Sequence, residues 1–176
     1  MSTFTEAAHP RADTGRFTPA AHTEPSLALQ AATAITVPAP DLHLARRSEA
    51  AFWVLEDYAD LEIMDHSPAR QTTVTLGQLG DPRLALGNCW AATNEVIEEA
   101  GASAFGAEWV DEITIARKVG GQHVAILVAD ADGMYVVDYT ARQFSPDLPF
   151  PYVAGVKDWM TSVAKASGQS WELDED

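Results

Sequence analysis

The hydrophobic period of this chain changes from helical to extended at Gly101, and that change limits the fold more than any other feature. Before it, Cys89, Ala92, Thr93, Val96, Ile97 and Ala100 recur at helical spacing, while Asn94, Glu95, Glu98 and Glu99 fall on the other side. That pattern is an amphipathic helix. Asn88 is placed to cap its start and Gly101 to stop it. After Gly101 the pattern becomes extended. Glu112 to Val119, Gln122 to Ala129 and Met134 to Thr140 read as three strands. Gly120-Gly121 links the first two and Asp130-Ala131-Asp132-Gly133 the last two. Links this short join antiparallel neighbours, so the expected fold class is α+β, with helices packed on a small antiparallel sheet.

The flanks read differently. Residues 1–40 are broken by Pro10, Pro19, Pro25, Pro38 and Pro40 and carry no long apolar period. They are expected to form a flexible N-terminal arm, with a short helix at most over Ser26 to Thr33. Within the arm, Arg11 to Phe17 is basic and aromatic. It reads either as a docking peptide or as an unstructured leader. The folded domain is expected over residues 41–170. Asp41 caps a helix running to about Met64, and Ser67-Pro68 ends it. Thr72 to Leu76 reads as a short strand, and Gly77 to Pro82 as a loop. Tyr152 to Ala166 reads as a closing helix with Gly168 after it, and residues 171–176 as a solvated acidic tail.

Composition excludes several function classes. The net charge of -15 argues against nucleic acid and anionic membrane surfaces as partners, since both are recognised by basic patches. A single cysteine allows neither an internal disulfide nor a cysteine-cluster metal site. His9, His22, His43 and His66 show no metal-ligand spacing, and no phosphate-binding glycine loop is present. Met1 to Pro25 lacks an apolar core of the secretory type, and no apolar stretch approaches the ~20 residues of a membrane span. A cytoplasmic protein is therefore expected. The sequence carries no signal of oligomeric state.

The lone cysteine stands where a nucleophile would stand. Cys89 opens the helix, and a helix start favours a thiolate because its first N–H groups lack partners. The amide of Cys89 could face the oxyanion of an attacked carbonyl, with Asn88 or Gln78 as side-chain donors and Trp90 and Gln143 as substrate contacts. Cys89 also reads as a small core hydrophobe on the buried helix face. His123 begins one strand and Asp138 ends the next. If the link between them has an even number of residues, both fall on one sheet face as near neighbours; an odd link reverses this. Otherwise they are a surface histidine and a strand-end cap. Asp130 and Asp132 read as turn residues.

Gly87-x-Cys89, then His123 before an apolar strand, then Val137-Asp138-x-Thr140 after a Gly-bearing turn, resembles the core of the papain-like cysteine enzymes. The likeness is closest to the transglutaminase-like and papain-fold toxin or deamidase branches. It covers about a third of the chain, Gly87 to Phe144. The resemblance implies a papain-like core and a thiol enzyme acting on amide or acyl bonds, as a deamidase, transglutaminase or peptidase does. Cys89 would be the nucleophile, His123 the base and then the acid, and Asp138 the orienting group. No metal or organic cofactor is then required. The substrate would be a protein or peptide, and the acidic surface would suit a basic one. The alternative is a non-catalytic binding or inhibitory protein on the same scaffold, working through its acidic face and N-terminal arm.

Overall fold

A computed structural model describes residues 41–64 and 73–174. The expected arm over residues 1–40 lies outside the described residues. What is described is a mixed α+β unit: a five-stranded antiparallel sheet with helices on both faces, and a separate two-stranded ribbon.

Helix α1 covers Leu42–Asp57, and the Asp41 carboxylate accepts from the His43 and Leu44 N–H groups at its start. It stops about two turns earlier than the expected end near Met64. Glu62–Met64 forms strand β1 instead, paired with β2, Thr73–Thr75, through the register Ile63↔Val74. Leu61-Glu62-Ile63 alternates at period two, and burying Ile63 against Val74 decides the segment for a strand. The expected loop at Gly77 to Pro82 is also more ordered. Leu76–Gly80 is a 3-10 turn, and α2, Pro82–Ala85, is a single helical turn capped by Asp81 with proline at its first position. Helix α3 covers Cys89–Ala104 and bends at Gly101, whose φ of 63° is open to glycine.

Strands β3 (Trp109–Ala116), β4 (Gln122–Asp130) and β5 (Gly133–Asp138) form the expected meander. Two additional edges complete the sheet in the order β6-β5-β4-β3-β7. Strand β6, Tyr152–Ala154, was expected as helix. It pairs with β5, and Gly155 separates it from helix α4, Val156–Ser167. Tyr-Val-Ala suits a pleated edge better than a first helical turn. Strand β7, Glu172–Leu173, lies in the expected solvated tail and its side chains are exposed, but its backbone is ordered as a sheet edge. It pairs with β3 through Ile115↔Leu173, a ladder made by backbone groups and therefore indifferent to the acidic side chains.

Two cores lie on opposite faces of the sheet. Helices α1 and α3 cover Ile126, Val128, Tyr135 and Val137 on one face. Ala91, Ala92 and Ala100 keep α3 close to the strands. Helix α4 covers the other face, with Trp159 and Val163 packed on Ile113, Ile115, Ala125 and Val136. Each large apolar side chain fully buried this way contributes about 1.5–3 kcal/mol. At the β4–β5 turn, Asp130 accepts both Arg47 Nε at 2.9 Å and Arg47 Nη2 at 2.7 Å, which ties α1 to the hairpin. That hydrogen bonding, against the cost of burial, holds Asp130 down to about 2. Asp130 and Asp132 are thus turn residues, as read from the sequence.

Candidate active site

The register of the β4–β5 hairpin sets the geometry of the site. The turn closes at Asp130↔Gly133, so the link is Ala131-Asp132, two residues. An even link places His123 and Asp138 on one face, and there His123 Nε2–H donates to Asp138 Oδ2 at 2.7 Å. Both side chains are 1 % exposed. Their face is the one covered by α4, whereas α3, which carries Cys89, covers the opposite face.

Cys89 reaches them through an opening in the sheet. The β4–β5 ladder ends at Ile126↔Val137. Beyond it, β4 stays paired with β3 through Ile115↔His123, and β5 with β6 through Asp138↔Tyr152, but the two central strands no longer pair with each other. The Val124 N–H released there donates to the Cys89 sulfur, which is also hydrogen-bonded to His123. Because Nε2 faces the carboxylate, Nδ1 is the nitrogen left for the thiol.

Asp138 is held by more than the imidazole. Trp159 Nε1–H donates to Oδ2 at 2.9 Å, and Thr140 gives Oδ1 both its N–H at 2.8 Å and its hydroxyl at 3.1 Å. A buried carboxylate with four donors is stable as the anion. Burial alone would raise Asp138, but the His123 charge and these hydrogen bonds hold it below the usual carboxylate range. Burial alone would likewise lower His123; the charge and hydrogen bond of Asp138, with those of Cys89, push it up to about 9 instead. Burial would push the Cys89 thiol up, yet its bonds to His123 and Val124 bring it below its ordinary value. Together these directions favour a thiolate–imidazolium pair. Phe144, Trp159 and Trp171 surround the ring at centroid distances of 4.8, 5.8 and 6.5 Å.

The supporting residues expected from the sequence fall into two groups. Gln143 lies in the 3-10 turn Ala141–Gln143 just after β5, and its side-chain Nε2 is 3.2 Å from His123 Nδ1. It is therefore part of the centre. Trp90 is exposed on the first turn of α3 and lines a cavity of about 320 Å³ with Glu112, Thr114, Gln122, Val124 and Asp174. Asn88 precedes α3 as expected but makes no side-chain cap. Its Nδ2 donates to the Leu84 carbonyl at 2.6 Å, so it is spent on the preceding turn rather than offered to an oxyanion. Gln78 is exposed and local in role, its Oε1 accepting from the Thr75 N–H in a capping box. The donors left for an oxyanion are the first amides of α3 and Gln143.

Trp159 and Trp171 are the residues sequence reasoning missed. The signal for Trp159 was available, because Trp159 and Val163 repeat at four-residue spacing, and a buried indole needs an acceptor. No group of three or more His, Cys, Asp or Glu side chains among the described residues is arranged to hold a metal ion. No helix among them is long and apolar enough to cross a membrane. Compared with known proteins, the chain matches no family model, no curated protein and no solved structure.

Proposed function

We propose that the chain is a cysteine-dependent amide hydrolase or acyl transferase, with Cys89 as nucleophile, His123 as proton carrier and Asp138 as its orienting anion. One observation carries this reading: the unbroken hydrogen-bonded series from Cys89 through His123 and Asp138 to Trp159. A buried structural histidine needs a partner for each ring nitrogen. It does not need a thiol on one side and a four-donor carboxylate on the other.

The chemistry follows from the positions of the protons. The Cys89 thiolate attacks the carbonyl carbon, and its electrons move to the oxygen. As the C–N bond breaks, His123 Nδ1–H protonates the leaving nitrogen, and a thioester remains on Cys89. Neutral His123 then takes a proton from water or from an amine, which attacks the thioester and frees Cys89. Water gives an acid; an amine gives a new amide. The papain-like resemblance favours glutamine side chains, peptide bonds or isopeptide bonds as substrates, and the net charge of -15 favours basic proteins as their carriers.

The test is to trap the acyl-enzyme with an activated ester, locate it by mass spectrometry, and assay ammonia and amine release from glutaminyl, peptide and isopeptide substrates. The expected adduct is on Cys89, and Cys89→Ala and His123→Ala should each lower turnover by about a thousandfold or more. Turnover that survives Cys89→Ala would sink the reading.

A further inference from the structure

A second cavity, of about 390 Å³, opens beside the triad, and Arg117, Gln122, Gln143, Ser167, Gln169 and Trp171 are among its lining residues. Gln143 joins it to the centre, because the same side chain meets His123 Nδ1. Arg117 is the only charged residue of the lining. Arg46, Arg47 and Lys118 each pair with a carboxylate. Among the described residues Arg117 pairs with none, and it is held inside a cavity.

Its guanidinium is nevertheless fixed. Nη1 donates to Gln169 Oε1 at 2.6 Å, and Cζ lies 5.3 Å from the centre of the Trp171 ring. The group occupies the space that a Cβ on Gly121 would fill. Nε is buried and has no hydrogen-bond partner. A held cation with neutral amides and a hydroxyl around it is suited to a carboxylate, which a guanidinium binds through a planar fork.

We propose that this cavity is a subsite for a carboxylate on the acyl substrate of Cys89, with Arg117 as its counter-ion. The proposal rests on the thiol-enzyme reading and narrows its substrate class to amides that carry a carboxylate near the scissile bond. Gln143, whose amide lies beside the imidazole and also lines the subsite, would sit between the bound carboxylate and the reacting carbonyl.

Two disulfide reagents test it. Dianionic 5,5′-dithiobis(2-nitrobenzoate) and neutral 2,2′-dithiodipyridine react alike: the Cys89 thiolate bonds to one reagent sulfur and displaces the other as an aromatic thiolate. The readout is the ratio of their rate constants. Arg117→Gln should lower the anionic-to-neutral ratio about tenfold, the size of one charge-assisted hydrogen bond. Arg117→Lys should keep most of it, and Arg46→Gln, the same charge change on α1, should leave it unaltered. A ratio equal in wild type and Arg117→Gln overturns the subsite while a reactive Cys89 keeps the enzyme reading. Equal slowing of both reagents in Arg117→Gln gives Arg117 a structural role and also overturns it. A Cys89 inert to both reagents overturns the enzyme reading and the subsite with it. Protection of Cys89 from the neutral reagent by N-acetylalanine assigns the subsite to a chain-terminal carboxylate. Protection by N-acetylglutamate α-amide assigns it to an acidic side chain, and protection by neither counts against the subsite.

Discussion

Asp138→Asn tests the centre most sharply, because the structure constrains how the amide can sit. Asp138 receives four donors, two on each oxygen. An asparagine that turns its oxygen toward His123 Nε2 and Trp159 Nε1 keeps both bonds and therefore keeps the tautomer. Its amino group then meets the Thr140 N–H, a donor facing a donor, which costs about 1–3 kcal/mol of stability. What the variant loses in every orientation is the charge. Raising an imidazole from 6.5 to about 9 corresponds to about 3 kcal/mol in favour of the charged ring, at about 1.4 kcal/mol for each tenfold change. Much of that comes from Asp138, working against the burial that pulls His123 down. In the variant His123 falls back toward its ordinary value, and Cys89 loses the cation that, with the hydrogen bonds of His123 and Val124, offset its own burial. The direct repulsion between Asp138 and the thiolate also disappears, but it is the smallest influence on Cys89. The Cys89 inflection should therefore move up. Alkylation by iodoacetamide, followed against pH, reads this directly. At pH 7 the rate should fall, by at most about tenfold for each unit that the inflection moves. An inflection unchanged between wild type and Asp138→Asn would refute the claim that Asp138 charge sustains the pair.

Two further outcomes are expected. Trp159→Phe removes the N–H on Asp138 Oδ2 and leaves a void where the larger, fully buried indole packed, so it should cost at least about 1.5–3 kcal/mol in urea unfolding; an unchanged midpoint would show that this bond does not support the buried anion. Because His123 is raised above its unfolded value, it stabilises the folded state fully below pH 6.5 and loses that contribution as pH rises through about 9. Cys89→Ala removes the opposing thiol together with the part of the rise that Cys89 supplies, so its melting temperature should fall above pH 6.5 over a window that closes below about 9, and a flat or rising profile would contradict a charged imidazole.

The central meander was legible because period, turn chemistry and link length agreed there. The two-residue link that puts His123 and Asp138 on one face follows from counting. The edges were not legible, for a different reason. Residues 62–64, 152–154 and 172–173 are short and become strands only because a neighbouring backbone is available to pair with. No local period announces that. Asn88 failed as an oxyanion donor because its position, one residue before α3, says nothing about where its amide turns, and the Leu84 carbonyl was closer. Trp159 shows the opposite case: its inward position could be read from the helix period, but its partner could be known only once α4 was laid on the sheet.

The end of the β4–β5 ladder at Ile126↔Val137 has a consequence for when the molecule becomes reactive. The thiol arrives from the layer on one side of the sheet and the histidine and aspartate belong to the other, and they meet only where the central strands part. Neither layer holds an activated sulfur by itself. A nascent or half-folded chain therefore carries an ordinary cysteine, slow toward electrophiles at neutral pH. On the proposed thiol-enzyme reading, reactivity appears only when both layers have docked, so the acidity of Cys89 would report that the fold is complete.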